Sequence, residues 1–183
     1  KIKKINREIL ISVDTYKSNV ALKSLDVGAD LVNDVSGLTF DPNMSTILSK
    51  TDAPVIIMHI NGKPKTMQNN PSYGDLIEDI KFFLKNQVSL ARKSGIKNEN
   101  IILDPGIGFG KSYEHNFTIL RRLNEISSLG YPIMIGPSRK AFIGDALDLP
   151  LDSRIEGTIA TVVAGIINGA KIVRVHDVKE IKN

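Results

Sequence analysis

The sequence predicts an α/β fold whose parallel sheet is of the (β/α)8 barrel kind, with six βα units visible. Three observations carry this. Short runs rich in β-branched residues recur along the chain, and they are almost continuously apolar, as strands covered on both faces are. Helical patterns fill the intervals, which calls for a sheet with crossover connections. A polar group follows nearly every run. An open doubly wound sheet gathers its chemistry at one switch point, whereas a barrel rings one site with the ends of all its strands. The barrel is therefore favoured, although a closed one needs eight units.

Taken in order, the first strand is expected over residues 9–13 and leads to Asp14. The next, 30–32, leads to Asn33 and Asp34, and 55–58 leads to His59. Residues 101–103 lead to Asp104, 132–135 to the turn 136–140, and 172–175 carries Arg174 with His176 just beyond. Helices are expected over 18–27, 44–49, 116–127 and 154–168. The clearest helix lies between the third and fourth strands, where Leu76, Ile80, Phe83, Leu84, Val88 and Ala91 fall on one face. No linker or low-complexity tract interrupts the pattern, so residues 1–183 read as a single domain.

Composition narrows the function classes. A chain of 183 residues, 42% hydrophobic and 24% charged, is long enough to bury a sizeable core. No apolar run has bilayer-spanning length and no signal-peptide pattern opens the chain. Cysteine is absent, which excludes disulfides and thiolate metal sites and suits a cytoplasmic location. The net charge of +4 is mild and no basic stripe is interleaved with aromatics, so no nucleic-acid or membrane partner is expected. A small anionic substrate suits the same charge. The chain begins with Lys rather than Met, so further sequence is expected upstream.

The stretch DPGIGFGKS, residues 104–112, has the look of a phosphate loop and fails its tests. A Walker loop needs Gly where Pro105 stands, and a dinucleotide fingerprint needs Gly where Lys111 stands. The stronger feature is Asp104. A carboxylate accepts two parallel hydrogen bonds and so matches an amidine-like edge, such as that of a 2-amino-4-oxo heterocycle. Its alternative role is to cap the turn. In GPSRK, residues 136–140, Ser138 is expected to cap the next helix, and Arg139 and Lys140 to place cations beside the site. In RVHD, residues 174–177, Arg174 and His176 stand two apart on a strand and so face the same way. Two cations there suit a diphosphate; the alternative is Arg174 paired with Asp14 or Asp104.

Asn33 is expected to face a heterocycle and Asp34 to tie the adjacent turn, with Asp14 in the same ring of strand ends. His59 opens a long polar loop that suits a lid. As a lone His it is expected to be structural, because no second His stands at metal-ligand spacing.

The segments SVDT, GADLVNDVSGL, IIMHINGKPKTMQ, ILDPGIGFGK, IGPSRKAFIG, RIEGT and IVRVHDV, in this order and spacing, resemble the dihydropteroate synthases over essentially the whole chain. The resemblance implies a TIM barrel whose third to eighth βα units are present here, a homodimer, and Mg²⁺ as cofactor. It implies condensation of 6-hydroxymethyl-7,8-dihydropterin diphosphate with p-aminobenzoate, giving 7,8-dihydropteroate and diphosphate, and inhibition by sulfonamides. Asp104 and Asn33 would bind the amino-pyrimidine edge of the pterin, with Asp14 assisting. Met58 would line the pterin slot, Lys140 would reach its other polar edge, and Arg174 would stack on its face. Arg174 and His176 would hold the diphosphate. Phe109, Lys140 and Ala141 would border p-aminobenzoate. The catalytic set would be Asp104, Lys140, Arg174 and His176.

Two departures follow from the same resemblance. The family's first two strands are expected upstream, one of them bearing the Asn that binds the metal, so no metal ligand is expected within this chain. Ala141 stands where family members commonly carry Ser, which would lower affinity for p-aminobenzoate. The competing expectations are a pterin-binding fragment without catalysis and a pterin-binding methyltransferase domain, though SRKAFIG and RVHD fit the latter poorly.

Overall fold

The structure is a computed structural model, and it describes residues 2–182. Its elements, in chain order, are α1 (Ile2–Ile5), β1 (Ser12–Asp14), α2 (Ser18–Asp26), β2 (Leu31–Asp34), α3 (Met44–Leu48), β3 (Val55–Met58) and α4 (Leu76–Lys93). They continue as β4 (Ile101–Asp104), α5 (Tyr113–Arg121), α6 (Leu123–Ser127), β5 (Ile133–Ile135), α7 (Ala141–Leu147), α8 (Ile155–Ile167), β6 (Ala170–Val173) and α9 (Val178–Lys182). The six strands follow one another in sequence order, and β1–β2, β2–β3 and β5–β6 pair parallel. The α/β class and the six βα units are those expected from the sequence.

The chain folds as two compact units. One runs to Met58 and includes Leu84–Leu103. Its core is Val32, Val55, Ile57, Leu84, Ala91, Ile101 and Leu103, all without solvent exposure. Burying each large aliphatic side chain contributes about 1.5–3 kcal/mol. The other comprises His59–Phe83 and Asp104 onward. There β5 and β6 pack against α8, and Ile119, Leu123, Ile126, Ile133 and Ile135 fill the interior. Gly165 brings α8 close to the sheet, since a methyl group on it would stand 2.1 Å from Ile135 Cδ1.

Three expectations are corrected. The first strand begins at Ser12, not at residue 9: Ile9 and Leu10 are exposed, and the Ile11 N–H is taken by the Asp30 side chain. The helix expected over 116–127 is two, broken at Arg122 (φ −106°), and begins earlier because Ser112 caps α5. The last strand is Ala170–Val173, not 172–175. Gly169, at φ +109°, turns the chain into β6 directly after α8. Arg174 N–H still donates to Ile135 O, at 2.9 Å, but the next backbone anchor is His176 N–H to Ser138 Oγ. Arg174 therefore sits at the strand end and His176 on the loop beyond it, so the same-face argument from strand alternation does not apply to this pair.

Candidate active site

In the first unit the ends of β1 and β2 lie in register, Asp14 opposite Asn33. Asn33 Nδ2 donates to Asp14 Oδ1 at 3.0 Å. The other end of the amide, Oδ1, is buried without a hydrogen-bond partner. Such an acceptor costs about 1–3 kcal/mol until something donates to it. Asp34, fully buried, does what the sequence suggested: it accepts from Ser36 N–H, Ser36 Oγ and Leu38 N–H at 2.7–2.9 Å. Burial raises its carboxyl above the usual range against the pull of these bonds. Met58 closes β3 with its side chain 3% exposed.

In the second unit Asp104 organises the site. Its carbonyl accepts His59 N–H at 2.8 Å, and its Oδ1 accepts Gly106 N–H at 2.7 Å. The turn-capping alternative thus holds for one oxygen of the carboxylate. Burial pushes the carboxyl up to about 6, opposed by the Gly106 N–H and by the charges of Lys140, Lys111 and Arg174. Lys140 donates to Ile107 O and stands 4.3 Å from the centre of the Phe109 ring. Burial lowers its amine to about 8, Asp104 pulling it back up and Arg174 adding to the fall.

The glycines of DPGIGFGKS serve close approach and turning. Gly108 (φ +78°) lies under Lys140, whose Cδ would stand 2.7 Å from an added methyl group. Gly110 (φ +65°) passes Asn61, where a methyl group would meet the carbonyl oxygen at 2.3 Å. Three amides of this loop are already used: Gly106 by Asp104, Gly108 by Asn116 Oδ1, and Phe109 by Gly106 O. Those three are not free to cradle a phosphate. The long polar loop after His59 is fastened here as well, through Gln68 Nε2 to Gly108 O and Tyr73 Oη to Gly110 O.

Two expectations for the turn 136–140 are corrected. Ser138 does not cap α7, whose N-cap is Lys140 with no side-chain bond, because the helix starts two residues too late for a Ser138 cap. Its hydroxyl instead accepts His176 N–H at 3.2 Å and lies 2.9 Å from His176 Nδ1. Arg139, at φ +58°, is drawn away into a two-bond pair with Asp177, which leaves Lys140 as the cation this turn directs toward Asp104. Ala141, the first residue of α7, is exposed. Arg174 acts electrostatically on both Asp104 and Lys140.

Sequence reasoning missed two groups. Arg154 lies beneath Gly144 and donates to Arg139 O, holding the strained turn. Lys111 is 3% exposed, with Nζ 2.9 Å from Phe109 O and 2.9 Å from His59 Nδ1. In the sequence the Lys-Ser ending counted only toward the failed phosphate-loop match; the one available signal was a Lys closing a glycine-rich turn after a strand. No group of three His, Asp or Glu side chains gathers into a metal cluster among the described residues.

The family model described as pterin binding enzyme matches residues 1–176. The chain belongs to this family. Among its relatives is a dihydropteroate synthase from Synechocystis, 52% identical over 173 residues, covering 94% of this chain and 60% of that protein. The chain thus spans about three fifths of the length of the curated relatives it matches. Among solved structures, a Clostridium difficile dihydropteroate synthase crystallised in the presence of pteroic acid superimposes with a TM-score of 0.91 at 49% identity, covering 99% of this chain and 67% of that one. A Yersinia pestis dihydropteroate synthase in a sulfonamide complex gives a TM-score of 0.95 at 38% identity, covering 99% and 66%. This chain has the fold of the part of each that it covers, six βα units of a (β/α) barrel.

Proposed function

We propose that the protein carrying this chain is a dihydropteroate synthase, which condenses 6-hydroxymethyl-7,8-dihydropterin diphosphate with p-aminobenzoate and releases diphosphate. The observation that carries the reading is Asp104: a buried carboxylate at a strand end, one oxygen fixed by the Gly106 amide, with three cations acting on it. Such a group suits the two-donor edge of an aminopyrimidine. The pteroic acid in whose presence one relative was crystallised, a pterin joined to p-aminobenzoate, and the sulfonamide complexed with the other support the same substrates for this chain.

The residue roles in this proposal are those the resemblance implies. In the first unit, Asn33 Oδ1 accepts from the pterin, Asp14 holds the Asn33 amide from the other side, and Met58 gives the slot an apolar wall. In the second, Asp104 reads the amino-pyrimidine edge and offsets positive charge that develops on the ring as diphosphate leaves. Lys140 donates to the pterin's other polar edge, and Arg174 covers its face. Arg174 and His176 hold the departing diphosphate, with Ser138 fixing the His176 ring. Phe109 and the start of α7 at Ala141 border p-aminobenzoate, whose amine then attacks the exocyclic carbon. No protein nucleophile is needed.

Magnesium, which the resemblance implies, belongs to the same proposal: such an ion takes one or two protein ligands together with substrate phosphates, and the described residues gather no group of three His, Asp or Glu that would hold it alone. Arg174 and His176 would share with it the charge on the leaving diphosphate. A homodimer and a cytoplasmic location belong to the same proposal; among the described residues no helix is long and apolar enough to cross a membrane. The test is to supply the whole protein with pterin diphosphate, p-aminobenzoate and Mg²⁺ and to measure diphosphate release. Methyl transfer from a methylated folate in its place would favour a methyltransferase, and tight pterin binding without turnover a binding module.

A further inference from the structure

The most heavily buried cation of the second unit has no part in that mechanism. Lys111 reaches inward from the end of the glycine-rich loop, 3% exposed. Its Nζ makes two contacts, donating to Phe109 O and meeting His59 Nδ1, each at 2.9 Å. His59 in turn donates its backbone N–H to the carbonyl of Asp104 at 2.8 Å. The residues form a closed circuit: Asp104 to His59 to Lys111 to the Phe109 carbonyl, and back along the chain to Asp104. The His59 ring is itself fixed, with Phe83 at 5.0 Å and Tyr73 at 6.0 Å between ring centres.

A buried lysine is costly, and packing does not require an ammonium here, since a linear apolar side chain of similar length would fill the space. The roles assigned above give the circuit a purpose. Asp104 is the residue given to the pterin and Phe109 the one given to p-aminobenzoate, and the circuit joins both. We propose that Lys111 is a positioning residue of the synthase: through His59 and the Phe109 carbonyl it fixes the spacing of the pterin-reading carboxylate and the ring beside the second substrate, and it supplies Asp104 with a buried counter-charge.

The electrostatics agree in sign. Lys111 lowers the carboxyl of Asp104, and Asp104 raises the amine of Lys111 against the burial that brings it down to about 7. Lys140 also acts on both, Arg174 acts on Asp104, and His59 is kept neutral by burial and by Lys111. At the acid edge of pterin binding, near the Asp104 value of about 6, Lys111 is protonated and favours the ionised carboxylate.

The inference rests on the synthase reading, and the experiment separates the two. Binding of 6-hydroxymethyl-7,8-dihydropterin diphosphate is titrated between pH 5 and 8 on the whole protein, alongside Lys111→Met and His59→Phe (roughly the span over which both groups titrate). Wild type that does not bind this ligand removes the synthase reading itself. With wild type binding, Lys111→Met should keep or raise the melting temperature at pH 7, weaken pterin binding about tenfold, and move its acid limb upward by about one pH unit. His59→Phe should raise KM for p-aminobenzoate with the acid limb in place. An unmoved limb in Lys111→Met, or weaker binding only in step with lost thermal stability, overturns the proposal. Should Lys111→Met fail to fold, His59→Phe decides alone: an unchanged KM for p-aminobenzoate overturns it.

Discussion

Asp104 shows how one side chain can carry opposite demands. Burial resists its ionisation, whereas recognition of an amidine-like edge requires it. Pterin affinity should therefore fall as pH drops through about 6, the value to which burial pushes this carboxyl. Asp104→Asn should bind pterin at least about tenfold more weakly through loss of the charge-assisted pair; calorimetry at pH 7.5 that finds unchanged affinity would remove Asp104 from the site. The linkage to stability has the reverse sign. An acid whose folded value is raised loses stability as pH rises from its ordinary 3.8 to about 6. Asp104→Asn should consequently melt no lower than wild type at pH 7. At this scale the sequence was informative where a polar side chain ends a strand, as Asp104 and Asn33 do. It was silent on the contact between Lys111 and His59, which joins residues 52 apart and follows no periodicity.

The turn from β4 into α5 shows why a familiar-looking motif can mislead. Its last residue is a helix cap: Ser112 Oγ accepts His115 N–H, and His115 Nδ1 accepts the Ser112 N–H. Ser112→Ala should cost about 1 kcal/mol in chemical denaturation and leave pterin binding unchanged. Gly110→Ala is the harsher change, because the new methyl group meets a backbone carbonyl in a conformation that favours glycine. It should destabilise by about 2 kcal/mol or more and release the loop that Tyr73 fastens, seen as faster proteolysis between residues 61 and 73. Element existence was readable from runs and stripes, since Leu76, Ile80, Leu84, Val88 and Ala91 are all buried on one face of α4. Element ends were less so. Ile9 and Leu10 are apolar yet exposed, and Ser138 has a capping residue's chemistry but sits ahead of the helix that begins at Ala141.

For the whole molecule, the mild positive charge matters through where it is used. Arg174 and His176 are the groups assigned to the diphosphate, so raising salt from about 0.05 to 0.5 M should weaken the pterin diphosphate severalfold while sparing 6-hydroxymethyl pterin without phosphates. Equal sensitivity of the two ligands would move the diphosphate elsewhere. The same strand order that identified the fold has a consequence for synthesis. Each paired strand adds beside its immediate predecessor in the chain, Ser12 meeting Leu31, Val32 meeting Val55 and Ile133 meeting Ala170. A chain emerging from the ribosome can therefore pair each new strand with one already made, never waiting for a partner still untranslated. Asp14, Asn33 and Asp104 are made before Arg174 and His176, so the residues given to the amino-pyrimidine edge of the pterin precede those given to its diphosphate.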